Sequence, residues 1–326
     1  MKTKSTKSIY WSVAIKVAVF LLLIFALYKQ LYQNNDVKQI PDMLKNISGT
    51  QLSITLIVSF TLMLLNWGIE ALKWKLLIQK INPIRLIRTF KAVWTGVTLG
   101  LFTPNRIGEF GGRILYVPRK FRIRAVIVSL IGSFSQNLAT IITGMVSMTI
   151  FIYQIEHITP FVFFSMILIG TLAVTLLLLA YYNLDVVVQL FKRNKFLRRV
   201  YSYTEVLNRY HSGDYSRLLA LSVLRYTVYT AQYLIFLRLY GAEITIVSGI
   251  AAIGVIYLAQ TVVPSFAIVE LITRGTIATL ILSKYGVSDV VSLAATTSIW
   301  ILNLILPAFL GYIFIIRYNF FKNRQS

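Results

Sequence analysis

The sequence predicts an all-α, polytopic integral membrane protein with two broken, re-entrant helical hairpins forming an inverted pseudo-repeat. Three observations predict it. The 326 residues are 57% hydrophobic and only 13% charged, with a mean hydropathy of +0.71, far from the balance of a soluble domain. Several apolar runs reach the roughly 20 residues that a helix needs to cross about 30 Å of hydrocarbon. Two further apolar stretches are interrupted by proline and carry a glutamate followed four residues later by an arginine.

Taken in order, Lys2, Lys4 and Lys7 precede an apolar run from Trp11 to Tyr28. No small-x-small cleavage site follows, so this reads as a retained first span with a cytoplasmic tail, residues 1–9. Residues 33–50 are polar and mixed in charge, an outer loop. The second span, about Leu52 to Leu72, leads into a basic segment with Lys73, Lys75, Lys80, Arg85, Arg88 and Lys91. That segment reads as cytoplasmic, with Trp74–Ile78 at the membrane interface.

The run Ala92 to Phe102 is apolar but too short to cross. Behind it comes Thr103-Pro-Asn-Arg-Ile-Gly-Glu-Phe-Gly-Gly-Arg113, then the basic stretch Pro118–Arg124. The chain therefore enters from the cytoplasm and returns to it as two half-helices broken at Pro104 and Gly108. Such a break is tolerated only where protein or a wet cavity surrounds it.

The next span, about Ala125 to Tyr153, carries Ser133, Ser135, Gln136 and Asn137 in its inner half, a polar cluster placed to face the hairpin. Glu156 and His157 mark an outer loop, and Phe161 to Tyr182 returns inward. Residues 192–217 form a basic cytoplasmic loop with a helix lying on the membrane. Leu218 to Leu239 leads outward. Val247 to Val263, Pro264, and Ile268 to Leu282 form a second broken hairpin. The last span, about Val291 to Ile316, ends in a basic cytoplasmic tail, residues 318–326. Residues 1–326 thus form one transmembrane domain. The parity of crossings allows the second hairpin to be re-entrant or to span fully. The re-entrant option puts one broken hairpin on each face, a plan that many transporters use around a midplane site.

The formal charge of +22 sits mainly in short segments between apolar runs. That placement sets topology and attracts anionic lipid, with no need of nucleic acid. The chain has no cysteine, which excludes disulfide and thiol chemistry. His157 and His211 are too far apart in the expected topology for a metal site. No catalytic triad can be built, and Gly108, Gly111 and Gly112 follow no strand or P-loop pattern. No cofactor is expected, and a homo-oligomer is compatible with the pattern.

Glu109 and Arg113, like Glu270 and Arg274, are spaced i,i+4 and share one helix face. One reading is two self-neutralising ion pairs. The other is a cavity for a charged, membrane-resident ligand, since intramembrane charge usually marks a pathway or site. Arginine suits a phosphate because its planar fork donates two parallel hydrogen bonds. On that reading Arg106 and Arg113 receive a lipid phosphate and Arg274 contributes from the other hairpin. Glu109 and Glu270 orient the arginines, bind a cationic part or carry a proton.

The Thr-Pro-x-Arg-x-Gly-Glu core at residues 103–109, with Arg113 after it, resembles the flippase-like transmembrane region of the lysylphosphatidylglycerol synthase family. The resemblance spans nearly the whole chain. The second motif keeps Pro264 and Glu270 but has Ser265-Phe-Ala-Ile-Val where relatives tend to carry glycines, and Gln136 and Asn137 stand where relatives often have arginine and aspartate. The resemblance implies a bacterial cytoplasmic-membrane protein that moves a phospholipid or polyprenyl lipid between leaflets. Only about ten residues follow the last span, so the soluble synthase domain, and with it lysyl transfer, is not expected. An intramembrane enzyme or its accessory subunit, and a non-transporting scaffold, remain as alternatives.

Overall fold

A computed structural model describes residues 47–103, 106–155, 159–184, 186, 204–262 and 267–317. The expected first span, the outer loop before residue 47, Pro104, Pro264, Glu156, His157, residues 192–203 and the two tails lie outside the described residues.

Helix α1 (Gly49–Ile78) begins where the Ser48 hydroxyl accepts the Gln51 N–H, a side-chain cap for an otherwise orphaned donor. Its first half presents apolar side chains outward, with Ile57 67% exposed, while its second half buries one face from Met63 through Asn66, Glu70 and Lys73 to Ile78. Trp74, expected at the interface, is fully buried and donates its Nε1–H to Ser129. The helix therefore continues about one and two-thirds turns beyond the expected end at Leu72, to Ile78, and enters the core. Helix α2 (Leu86–Gly100) then runs back for 15 residues, about 22 Å at 1.5 Å per residue. Helix α3 (Gly108–Ile114) packs against it.

Helix α4 (Arg122–Ile155) is the longest of the described helices, at 34 residues. Helix α5 (Pro160–Tyr182) is apolar all round and buries only Gly170 and Tyr181, the pattern of a helix facing lipid. Helix α6 (Ser212–Leu239) is central and packs on α1 and α4. Helices α7 (Ile246–Val262) and α8 (Ala267–Leu282) follow, of 17 and 16 residues. Helix α9 (Asp289–Trp300) continues through a π-helical turn, Ile301–Ile305, into α10 (Leu306–Arg317). Pro307 supplies no N–H to the Asn303 carbonyl and its ring crowds that oxygen. The wider π turn relieves both problems.

The described residues are helical apart from their connections, with no strand among them. Four continuous stretches are long and apolar enough to cross a bilayer: Gly49–Ile78, Arg119–Ile155, Pro160–Tyr182 and Asp289–Ile316. The protein is an all-α membrane protein.

The connections sort onto two ends. At the N-terminal end of α4, Lys80 pairs with Asp214, Arg209 donates to the Lys80 carbonyl at 2.9 Å, and Tyr181 donates to the Tyr215 carbonyl at 3.0 Å. Lys91, at the start of α2, lies over the Phe314 ring near the end of α10. At the opposite end, Tyr285 after α8 donates to Gln154 at 2.8 Å and packs edge-on against Phe151. Phe151 and Ile152 cluster there with Ala251 of α7. Hence α2 and α3 open toward one end of α4, while α7 and α8 open toward the other.

The Lys80–Asp214 pair ties the end of α1 to the start of α6. Partial burial pushes the Asp214 carboxyl up, but the His211 N–H and the Lys80 ammonium outweigh it and hold the carboxyl below its ordinary value. A depressed carboxyl stabilises the fold above its unfolded-state pKa and loses that contribution as pH falls through the folded-state value. Asp214→Asn is expected to lower stability by about 1 kcal/mol at neutral pH. Detergent unfolding curves should show the gap between wild type and variant closing below about pH 4.

Candidate functional site

The first hairpin is built on glycine. Gly96 and Gly100 of α2 face Gly108 and Gly112 of α3, each pair spaced four apart. A Cβ on Gly112 would lie 2.4 Å from the Gly96 Cα, and one on Gly108 would lie 2.3 Å from the Leu99 carbonyl oxygen. Small residues at this spacing let two helix backbones touch. Gly111 faces open space and has no such part. Gly108 is the first residue of α3, so it serves helix contact, while the interruption lies before it. The Thr103 hydroxyl accepts the Gly108 N–H at 2.7 Å and caps the returning helix. At the tip, Arg106 has φ +57°. A side chain in that left-handed region costs about 1–2 kcal/mol, and such strain concentrates at functional positions.

Behind the tip lies a buried charge network. Arg113, 4% exposed, donates from one Nη2 to Glu70 at 2.8 Å and to Glu109 at 3.2 Å. Glu70, on α1, also accepts from Arg225 of α6 at 2.9 Å and pairs with Lys73 at 3.5 Å. Arg225 gives its Nε–H to Asn66 at 2.8 Å, bonds the Tyr229 hydroxyl at 3.2 Å and stacks over Trp67. Asn66 bonds Asn303 at 3.3 Å, and Asn303 donates to Gln232 at 3.1 Å. Lys73 reaches Gln136 at 3.1 Å, whose amide donates to the Ser222 carbonyl at 3.2 Å. One carboxylate thus joins α1, α3 and α6, and amides extend the ties to α4 and the π turn.

In front of this network is a cavity of about 290 Å³, close to the lower end of the roughly 300–1,000 Å³ of small-molecule sites. Arg106 comes to it from the first hairpin. Gln136, Asn137 and Thr140 come from about halfway along α4. Arg225, Tyr226 and Tyr229 line it from α6, and Asn303 from the π turn. Tyr257, Gln260 and Thr261 near the end of α7 and Arg274 of α8 also line it, and Ile299, Trp300 and Leu304 add an apolar side. No carboxylate is among the described lining residues. Arg106 has Glu109 at 3.6 Å, three residues on, and Arg225 has Glu70.

Of the residues expected to form a site, Arg106, Gln136, Asn137 and Arg274 line one cavity. Arg113 and Glu109 do not line it. The two are ion-paired with each other, and Arg113 is also taken by Glu70 from another helix. The Glu270 side chain is outside the described residues. Glu70, Lys73 and Arg225 are not among the residues expected from the sequence, where Glu70 falls inside the second span and Lys73 in a cytoplasmic segment. The signal was present: Glu70 and Lys73 stand i,i+3 on one face, and Arg225 sits at the middle of a span.

Residues 13–311 match the family described as the lysylphosphatidylglycerol synthase TM region. Comparison with curated proteins and with solved structures yields no match.

Removing one partner from a buried ion network leaves uncompensated charge, at about 3–5 kcal/mol. Glu70→Ala is therefore expected to lose stability on that scale in equilibrium unfolding from mixed micelles. Glu109→Ala, at a 17% exposed side chain, is expected to lose about 1 kcal/mol or less. Equal losses would contradict the central place of Glu70.

Proposed function

Since the chain belongs to the lysylphosphatidylglycerol synthase transmembrane-region family, we propose that it carries a phosphate-bearing lipid between the leaflets of a bacterial cytoplasmic membrane. The lipid class is an aminoacylated phosphatidylglycerol or a polyprenyl-linked phosphate. The observation that carries the reading is the meeting of two hairpins at one cavity. They open toward opposite ends of α4, each of their helices is too short to cross about 30 Å of hydrocarbon, and both supply an arginine to the same chamber. Half-helices that meet at the midplane are how many transporters hold a site that either face can reach.

Arg106, Arg225 and Arg274 take the phosphate, with planar forks suited to its oxygens. Glu70 and Glu109 hold the arginines in place. The lipid chains stay outside, against the apolar surface, since the cavity is sized for a headgroup. The end carrying Lys80, Arg85, Arg88, Lys91, Arg119 and Lys120 faces the cytoplasm, while the other carries Lys284 in its connection. On this reading the chain is a carrier and performs no lysyl transfer.

The test is leaflet exchange in proteoliposomes, with a fluorescent phospholipid and an impermeant quencher. Wild type should accelerate exchange over protein-free vesicles, and Arg106→Glu should reduce that acceleration at least tenfold. Exchange that the reversal leaves untouched would remove the phosphate role. Headgroup modification by the purified protein would favour an enzyme instead.

A further inference from the structure

Resting on the carrier reading, we infer that an acyl chain of the bound phospholipid lies on a bare stripe of α4, through Ile123, Leu130 and Asn137, so that the cavity is loaded sideways from the leaflet at the N-terminal end of that helix. The juxtaposition behind this is an exposed apolar face that runs into the mouth of a polar chamber.

Exposure locates the mouth. Arg225, Tyr226, Trp300, Asn303 and Leu304 are buried and form the floor of the cavity. Asn137 and Thr261 are exposed and form its rim. Asn137 stands about halfway along α4, so the mouth opens at mid-depth, where hydrocarbon rather than water lies outside. A headgroup that enters there leaves its chains in the hydrocarbon.

On the N-terminal side of the mouth, α4 is bare. Residues seven apart on a helix drift by only about 20° and so line one stripe. Ile123 and Leu130 are 49% and 51% exposed, and Asn137 follows at the rim. From Ile123 to Asn137 the helix rises about 21 Å, enough for the roughly 15 Å depth of one leaflet, half of the hydrocarbon core. Helix α5 flanks the stripe, with Phe134 of α4 edge-on to Tyr181 at 5.5 Å. The first hairpin also packs on α4, and its tip carries Ile107, 59% exposed, next to Arg106 of the cavity. Arg119 and Lys120 stand exposed just before α4, where anionic headgroups of the same leaflet would meet them.

On the C-terminal side the same series is covered. Its next member is Gly144, which is buried. A Cβ there would lie 2.8 Å from the Leu258 Cβ, and one on Gly254 of α7 would lie 2.0 Å from the Ser147 Oγ. Phe151 and Ile152 continue this seam against Ala251 and Val255. Helix α7 thus seals the far half of α4 and ends at the cavity, with Thr261 in its last turn. An acyl chain finds α4 open on one side of the cavity and closed on the other.

Because the chain has no cysteine, a benzophenone maleimide can be attached at Leu130→Cys. Leu168→Cys on α5, at an apolar position 70% exposed, is the reference. The full chain is reconstituted in phosphatidylcholine vesicles with a minority of phosphatidylglycerol, illuminated, and the adducts are identified by mass spectrometry. The Leu130 probe is expected to capture phosphatidylglycerol at least fivefold above its share of the bilayer, and the Leu168 probe in proportion to that share. Arg106→Glu should return the Leu130 probe to the bulk share, since the chain seat and the headgroup cavity are continuous. Leu130→Asn should slow leaflet exchange at least threefold, while Leu168→Asn leaves it unchanged. Proportionate capture at both probes, by protein that still exchanges lipid, would overturn the seat and leave the carrier reading standing. An intramolecular cross-link in place of a lipid adduct would overturn it by putting protein on the stripe. Enrichment that survives Arg106→Glu would overturn the link to the cavity. Loss of both enrichment and exchange would bring down the carrier reading as well.

Discussion

One buried carboxylate holds the arrangement together. Glu70 accepts from Arg113 and Arg225 at 2.8 and 2.9 Å and has Lys73 at 3.5 Å. Three cations cannot be brought this close in an apolar interior without an anion among them, because burying unpaired charge is prohibitive. Through this carboxylate the returning arm of the first hairpin is fastened to α1 and to the middle of α6. Arg113 belongs to this support. Arg225 belongs to both the support and the cavity wall, so whatever binds in the cavity acts on a residue that also holds the hairpin.

The two hairpins reach the cavity by different means. In the first, backbone meets backbone across Gly96 and Gly112, and the short turn leaves Arg106 in a left-handed conformation at the tip. In the second, α7 lies along α4, where a Cβ on Gly144 would come 2.8 Å from the Leu258 Cβ. It brings Gln260 and Thr261 to the level of Gln136 and Asn137. Helix α4 spans from one mouth to the other and serves as the common reference. The π turn adds Asn303, turned inward where Pro307 interrupts the regular ladder.

Much of this was legible in the sequence, for physical reasons that can be named. Helix boundaries followed apolar length and proline: the expected Val247–Val263 and Ile268–Leu282 appear as Ile246–Val262 and Ala267–Leu282. The convergence of Arg106 and Arg274 followed from intramembrane charge on the two interrupted hairpins, and that of Gln136 and Asn137 from a polar cluster inside an apolar span. What was not legible was partnership across helices. The i,i+4 spacing of Glu109 and Arg113 displays a local pair, while the stronger tie of Arg113 is to Glu70, 43 positions away. Trp74 resembles an interfacial tryptophan until Ser129 gives its indole N–H a buried partner. Lys73 merged into a basic run that reads as topology, and only the fold reveals that it points into the core.

The central claim is that the hairpins open on opposite faces of the membrane and meet midway. The chain contains no cysteine, so single cysteines can be introduced without a background. The most direct measurement is labelling of Lys120→Cys and Lys284→Cys by an impermeant maleimide, in inside-out and right-side-out vesicles. The account predicts that Lys120→Cys reacts only from the cytoplasmic face and Lys284→Cys only from the outer face. Reaction of both from one face would contradict it.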